Sequence, residues 1–167
     1  MKSSTEIRTL VKDDWADWKR IRLEAIKLHP DAFGGSYEDE VQNPDESFQQ
    51  GLTKNTIFGA LSNGVLVGVA GFFIFSHRKM QHRGNLFSMY LRKEHRGQGI
   101  ADQLIETVIA HAKSEVLQLH CTVVTNNPAA IKLYQKYGFE IYGTEPRSLK
   151  VDNSYYDEHL MALTFDT

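Results

Sequence analysis

The sequence predicts one α/β domain whose central sheet is mixed, mostly antiparallel and flanked by helices. Three observations predict it. The chain has 167 residues, a length typical of a single domain. Asn63-Gly64 lies between two β-rich runs, which is the strongest short-range signal for an antiparallel hairpin. Further strands then alternate with two helical segments, and two strands close the chain, an order typical of a largely antiparallel α/β sheet.

The first third of the chain predicts a strand, a helix and a long loop. Glu6–Val11 alternates enough for a short strand. Asp13 or Asp14 can cap a helix whose apolar residues recur at roughly helical spacing: Trp15, Trp18, Ile21 and Ile26. The stretch Pro30–Ser47 is rich in Pro, Gly, Asp and Ser, so we expect an irregular segment there that can include short helical turns. Such a long loop in a compact domain is usually functional, which makes it a candidate lid or substrate wall.

Strands and helices alternate in the remainder of the chain. After the Asn-Gly hairpin we expect a strand over Asn85–Leu91 and a helix that starts near Gly97 or Gln98. The run VLQLHCTVV predicts a buried strand, Asn127-Pro128 opens a second helix, and Gly138 is placed to end it. Two final strands, FEIYG and EHLMALTF, complete the order β-α-loop-β-β-β-α-β-α-β-β.

Composition excludes several classes of function. The net charge is -2, from 19 basic and 21 acidic residues, so nothing favours nucleic acid or an anionic membrane as a partner. The one cysteine, Cys121, excludes an internal disulfide and fits a reducing cytoplasm. MKSSTEIRTL has no apolar signal core, and no run is long enough to cross a bilayer. We therefore expect a soluble, cytoplasmic protein, and the seven histidines show no paired metal-ligand spacing, so we expect no metal.

The turn after the strand Asn85–Leu91 has the composition of a diphosphate-binding site. The stretch RGQGIA leads into a helix whose first N–H groups lack intrahelical partners and carry partial positive charge. Without β-carbons at Gly97 and Gly99 a phosphate could approach these groups, and Arg96 adds a charge with bidentate geometry. The alternative is that the glycines only shape a tight turn. A Rossmann or a Walker motif fits poorly, because the third glycine and the Gly-Lys-Ser/Thr sequence are absent.

A second motif, NNPAAIKLYQKYGFE, follows one strand later, and the two motifs together resemble the GNAT superfamily of N-acetyltransferases. The resemblance covers most of the chain in element order and roughly Asn85 to Phe139 in motif detail. Arg96, Gly99 and Ala101 match the superfamily's turn Gln/Arg-x-x-Gly-x-Gly/Ala, which holds the pyrophosphate of acetyl-coenzyme A. The resemblance thus implies a single N-acetyltransferase domain over residues 1–167. Its acetyl-coenzyme A would be bound by the whole turn, Arg96, Gly97, Gln98, Gly99, Ile100 and Ala101.

The resemblance also implies roles on both sides of this turn. Backbone groups of Met89, Tyr90 and Leu91, at the end of a strand that splays from its neighbour, would hold the pantetheine arm, and an N–H there would polarise the thioester carbonyl. Asn127 would hydrogen-bond the same arm, or would only cap its helix. Tyr134 would be the general acid that protonates the leaving thiolate; its alternative is a core aromatic with its hydroxyl at the surface.

The general base stays open at this point. Several members of the superfamily place a glutamate five residues before the asparagine, where this chain has Thr122. The remaining candidates are Glu38, Glu40, Asp157 or Glu158, or water relayed along backbone groups.

The acceptor pocket is expected to form from two variable segments. One is the loop Phe33–Glu40, whose Phe33, Glu38 and Glu40 are candidate substrate residues; acidic residues here would suit a cationic amine. The other is the connection EPRSLKVDNSYYDEH, where Tyr155 and Tyr156 could form a wall.

The expected function is direct transfer of the acetyl group of acetyl-coenzyme A to a primary amine of a small molecule. One alternative acceptor is a protein or peptide N-terminus. Another alternative is a non-catalytic acetyl-coenzyme A sensor, which the missing strand glutamate favours and Tyr134 disfavours. Dimerisation is common in the superfamily, so a homodimer is compatible with the resemblance, although the sequence shows no interface.

Overall fold

A computed structural model describes residues 4–166 as a seven-stranded sheet with helices on both faces. The strands are β1 (Thr5–Thr9), β2 (Thr56–Ser62), β3 (Val65–Ile74), β4 (Arg83–Leu91), β5 (Gln118–Val124), β6 (Glu140–Val151) and β7 (Ser154–Thr164). The helices are α1 (Trp15–Leu28), α2 (Tyr37–Glu40), α3 (Asp45–Lys54), α4 (Ile100–Glu115) and α5 (Pro128–Lys136). The predicted domain span, 1–167, includes residues 1–3 and 167, which lie outside the described residues.

The sheet has the strand order β1-β2-β3-β4-β5-β7-β6. Within residues 4–166, five of the six strand pairings are antiparallel, and the parallel one joins β4 to β5. The predicted fold class, a mixed and mostly antiparallel sheet flanked by helices, is therefore confirmed. The Asn63-Gly64 hairpin is confirmed as well, because both residues have positive φ (50° and 82°), as a tight turn between twisted strands requires.

Two apolar cores lie on the two faces of the sheet. On β2, Ile57 packs with α1 and α3, while its neighbour Phe58 packs with α4, as the alternation of side chains along a strand dictates. Leu104 and Val108 of α4 are 0% exposed, and burying a side chain of this size stabilises the fold by about 1.5–3 kcal/mol. This packing fixes the direction in which the amino end of α4 points.

The structure corrects two parts of the predicted element order. The segment Pro30–Ser47 is irregular apart from the short helix α2, as expected, but its end belongs to α3, which begins at Asp45 and contributes Phe48 and Leu52 to the core. These two apolar residues are four apart and so lie on one face, but a helix of ten residues offers no more periodicity than this.

No helix within residues 4–166 combines the length and the apolar character needed to span a membrane.

The second correction concerns the segment EPRSLKVDNSYYDEH, expected as the connection between the two closing strands: β6 and β7 extend through it and pair as a hairpin. Both strands are largely exposed along this segment, so no alternation of apolar residues marks them. Asp152, with φ of 53°, makes the tight turn.

An ion pair closes the connection between β1 and α1. The Arg8 guanidinium donates to both carboxylate oxygens of Asp14, each at 2.9 Å, and the Val11 N–H donates to Asp14 Oδ2 at 2.7 Å. The hydrogen bonds from Arg8 hold the pKa of the Asp14 carboxyl below its usual value, since they favour its charged form.

We expect Asp14→Asn to lower the free energy of unfolding at neutral pH by about 1 kcal/mol, a modest value because the Arg8 side chain is 37% exposed. A lowered folded pKa means that the stabilisation is complete above the unfolded pKa of about 3.9 and is lost as the pH falls through the lower folded value. Urea denaturation of both proteins at several pH values measures this. Asp13→Asn, at the exposed neighbouring carboxylate, is the control. A deficit that stays constant into the acid range would contradict the assignment.

Candidate active site

A cleft of about 770 Å3 lies where β4 and β5 part, and α1, the loop after it, the turn before α4 and the start of α5 complete its walls. Most of the predicted site residues line it: Phe33, Met89, Tyr90, Leu91, Arg96, Gly97, Gly99, Ala101, Asn127 and Tyr134. The others do not belong to its lining: Glu38, Glu40, Gln98, Ile100 and Tyr156. One cavity thus brings together the motif residues from both halves of the sequence pattern.

The cleft exists because β4 leaves β5 after a short parallel contact. The two strands pair only between Arg83–Asn85 and Gln118–His120, although β4 continues to Leu91 and β5 to Val124. On its other side β4 bulges against β3, where Ser88 adopts φ of 53°, a left-handed conformation that is rare for serine. The backbone of the last β4 residues therefore faces the cleft where a continuous sheet would have placed β5.

The turn before α4 forms an open cradle of backbone. Gly97 and Gly99 have φ of 76° and 81°, which favours glycine, and a β-carbon on either would meet no atom within 4 Å. The Gln103 N–H donates to Gly99 O at 3.1 Å, so the N–H groups that precede it have no helical acceptor. Arg96 Nε donates to Leu91 O at 3.0 Å, which holds the guanidinium beside the cradle. This open, electropositive space fits a diphosphate group.

Asn127 caps the helix on the opposite wall. Its Oδ1 accepts a hydrogen bond from the Ala130 N–H at 3.2 Å, and Pro128 occupies the first helical position. The cap uses only the amide oxygen, and the Asn127 side chain also has two N–H donors. Capping and a contact with a bound arm are therefore compatible.

Tyr134 lies two turns along the same helix and is 6% exposed. It packs against Phe139, with ring centroids 5.6 Å apart, and lines the cleft. Burial raises the pKa of its hydroxyl well above the usual value, so the group keeps its proton at neutral pH. A buried tyrosine that opens on a cleft in this state can act as a proton donor.

Tyr137 and Cys121 are close to Tyr134, but their surroundings differ from those of Tyr134. Tyr137 donates hydrogen bonds to Asp102 Oδ1 at 2.8 Å and to Glu106 Oε1 at 2.9 Å, which ties α5 to α4. Burial raises the pKa of the Cys121 thiol to about 12, so the thiol is not ionised at neutral pH. This agrees with a structural cysteine and not with an acetyl-cysteine intermediate.

Arg22 holds together the wall of the cleft that α1 and the loop after it form, and sequence reasoning missed it. Its Nε and Nη2 donate to the two carboxylate oxygens of Glu40, each at 2.9 Å, and its Nη1 donates to Ser88 Oγ at 2.8 Å. Glu40 is therefore paired in the wall behind the cleft, while Glu38 is exposed and accepts from the Ser36 hydroxyl. Arg22 and Ser88 are 66 positions apart in the chain, and no local pattern marks such a contact.

Two carboxylates on this side also line the cleft. Asp31 lies in the loop after α1, where its Oδ2 accepts from Asn126 Nδ2 at 3.4 Å and so joins that loop to the turn before α5. Glu158 comes from β7 and accepts a hydrogen bond from the Ser148 hydroxyl. Glu158 was one of the candidate bases in the sequence, whereas nothing in the sequence singled out Asp31.

Comparison with known proteins gives a family and a fold. A family model described as the acetyltransferase (GNAT) family matches residues 15–139. The L-methionine sulfoximine/L-methionine sulfone acetyltransferase of Pseudomonas aeruginosa is 31% identical over 80 residues, which are 47% of this chain and 46% of that protein. The match thus spans about half the length of this curated relative.

Two solved structures superimpose on nearly the whole chain. A GNAT-family acetyltransferase from Streptococcus pneumoniae has a TM-score of 0.87 and 25% identity, with 97% of this chain and 100% of that chain covered. An acetyltransferase-like protein from Salmonella typhimurium, solved with its cofactor acetyl-coenzyme A, has a TM-score of 0.86 and 22% identity, with 99% and 96% covered. At 22% identity, the likeness to the Salmonella typhimurium protein concerns the fold alone.

We expect Gly35→Ala to destabilise the wall of the cleft that contains Arg22 and Glu40. A β-carbon at Gly35 would overlap Glu40 Oε2 and crowd Arg22 Nη2, so the ion pair would have to separate. The free energy of unfolding should fall by about 1–2 kcal/mol in chemical denaturation. Gly34→Ala is the matched control, because a β-carbon there meets nothing within 4 Å and stability should be unchanged or slightly higher. Equal stability of the two variants would show that the pair does not hold the wall.

Proposed function

Because the chain belongs to the acetyltransferase (GNAT) family, we propose that it is an N-acetyltransferase that moves an acetyl group from acetyl-coenzyme A directly to a primary amine of a small molecule. The observation that carries the proposal is that three features meet in one cleft: the glycine cradle, the end of β4 that β5 does not pair with, and Tyr134. These are the parts that a thioester donor with a diphosphate requires. The proposal covers the chain as one domain, residues 1–167.

The turn before α4 would hold the diphosphate. The N–H groups of the stretch from Gly97 to Ala101, with Gln98 and Ile100 contributing backbone only, point to a site where the helix macrodipole favours negative charge. Arg96 would add a charge-assisted contact. The small side chain of Ala101 keeps the mouth of the cradle open.

The end of β4 would hold the arm of the cofactor. Met89, Tyr90 and Leu91 offer strand backbone without β5 beside it, so an extended arm could pair with them as an added strand. Asn127 would bind the arm from the other side through its amide N–H groups. Bound there, acetyl-coenzyme A supplies the activated acetyl thioester.

Two groups of the chain would then act on the reacting atoms. A backbone N–H among Met89–Leu91 would polarise the thioester carbonyl, since a fixed dipole stabilises the negative charge that develops on the oxygen. Tyr134 would donate its proton to the departing sulfur, and its buried hydroxyl is protonated at neutral pH. Both substrates bind together, so orientation contributes to the rate.

We propose an acceptor of amino-acid size. The curated relative acts on L-methionine sulfoximine and L-methionine sulfone, which are small amino acids. On the acceptor side the ring of Phe33 meets that of Tyr90 edge-on, with centroids 6.4 Å apart, and Asp31 adds a carboxylate that suits a cationic amine. The chain has a single cysteine, which fits a reducing cytoplasm, where we place the activity. A homodimer is compatible with the proposal.

We expect Tyr134→Phe to lower kcat about 100-fold or more while acetyl-coenzyme A still binds, because a general acid contributes about 10²–10⁴ to the rate. Coenzyme A release with a panel of L-amino acids and L-methionine sulfoximine measures kcat, and calorimetry measures cofactor affinity. Tyr137→Phe is the matched control, because that hydroxyl binds Asp102 and Glu106. It should lose stability and keep its turnover. Equal rates in the two variants would exclude Tyr134 as the acid.

We expect Gly99→Ala to weaken the binding of coenzyme A at least about tenfold, because a β-carbon would enter the cradle that the phosphates approach. The substitution also costs about 1 kcal/mol of backbone strain at positive φ. Gly64→Ala controls for this strain, since Gly64 has φ of 82° in the β2–β3 turn and equally open surroundings. If both variants bind coenzyme A equally well, the cradle does not hold the phosphates.

A further inference from the structure

Glu158 of β7 places a carboxylate in the cleft beside Thr122 of β5. In the antiparallel pairing of β5 with β7, Glu158 is opposite Val124, and Leu160 is opposite Thr122. Directly paired residues share a face of the sheet, and so do alternate residues of one strand. Thr122 and Glu158 are therefore diagonal neighbours on one face, at a separation of about 7–8 Å. Both line the cleft.

Tyr134 reaches the same cleft from the other face of the sheet. It shares an apolar cluster with Cys121 and Val123, the β5 residues whose side chains alternate with those of Thr122 and Val124. The gap between β4 and β5 connects the two faces. A reacting group held in this gap would have the Tyr134 hydroxyl on one side and the Glu158 carboxylate on the other.

A residue of β6 orients the Glu158 carboxylate by a hydrogen bond. The register of β6 against β7 shifts between Glu145 and Leu149, and within this bulge Arg147 adopts φ of 51°. The Arg147 N–H donates to Asp157 Oδ1 at 2.7 Å, which secures the bulge, and the Ser148 hydroxyl donates to Glu158 Oε1. A carboxylate oriented by one hydrogen bond has further lone pairs for a substrate.

The other carboxylates near the cleft have different tasks. Glu40 is neutralised by Arg22, and Asp102 is paired with Lys136 on the cofactor side. Asp31 is on a loop and bonds to Asn126, whereas Glu158 is on a strand of the sheet. The titratable and charged groups around Glu158 are Glu145, opposite it on β6, and those that line the same cleft: Arg22, His29, Asp31, Arg96 and Asp102.

We propose that Glu158 is the general base of the reaction, an inference that rests on the proposed function. Glu158 accepts one proton from the acceptor ammonium, and the freed lone pair forms the C–N bond to the acetyl carbon while the C–S bond breaks. Tyr134 gives its proton to the departing sulfur, so coenzyme A leaves as the thiol. The second proton of the amine nitrogen returns Tyr134 to its protonated form through solvent, and Glu158 releases its proton to water.

The test compares the wild type with Glu158→Gln in the coenzyme A release assay across the pKa of the acceptor amine. Glutamine keeps an oxygen that accepts from Ser148, so the local structure is conserved. We expect kcat to fall about 100-fold or more below the pKa of the amine, and the loss to shrink above it, where the amine is neutral without help. Calorimetry should give an unchanged affinity for acetyl-coenzyme A. Asp157→Asn is the control, because Asp157, the other candidate base on β7, does not line the cleft, and the change removes one charge beside Glu158 while it retains the acceptor for the Arg147 N–H.

Each other outcome contradicts the proposal. Wild-type rates in Glu158→Gln at every pH would mean that the proton leaves by another route. A loss that is the same at every pH, or that Asp157→Asn shares, would mean that Glu158 contributes only to structure or binding. A wild-type protein that binds acetyl-coenzyme A but acetylates none of the amines would overturn the proposed function itself, which the Glu158 variant alone cannot do.

Discussion

The parting of β4 from β5 is the constraint on which the candidate site depends. In a continuous sheet the two strands would satisfy each other along their whole length, and no cavity would separate them. Here the ladder ends after Asn85, and the bulge at Ser88 turns the rest of β4 away. Backbone N–H and C=O groups that would pair with a neighbouring strand in a continuous sheet are therefore free to bind a ligand. The gap also connects the two faces of the sheet. The acid and the base that we propose use this connection, because each comes from a different face.

Such an opening has to be supported, since it removes strand hydrogen bonds and strains a residue. Ser88 holds a left-handed conformation that costs about 1–3 kcal/mol. Its side chain is bound by Arg22, which is itself fixed by Glu40, so the strained residue is tied to α1 and α2. Apolar cores on both faces hold the strands on either side of the gap. The gap is thus a defect in the sheet that the surrounding helices stabilise.

How far the sequence predicts this site depends on whether a feature is local. The glycine turn before α4, the cap at Asn127 and the Asn63-Gly64 hairpin are each encoded within a few residues, and composition was sufficient to locate them. The Arg22 contact with Ser88 and the diagonal placement of Glu158 beside Thr122 depend on strand register, which a single sequence does not contain. Both closing strands were predicted, but their extension into the segment between them was missed, because there β6 and β7 are exposed and lack the alternation of apolar residues that marks half-buried strands.

The bulge in β6 also affects the exposed edge of the sheet. β6 is an edge strand of the sheet. A long, regular edge strand is a template on which a strand of another molecule can be added. The bulge breaks that template in its middle, and Pro146 within it has no N–H to offer. The irregularity that places the Ser148 hydroxyl beside Glu158 is therefore also expected to hinder edge-to-edge aggregation. A substitution that straightened β6 would be expected to harm solubility and the site together.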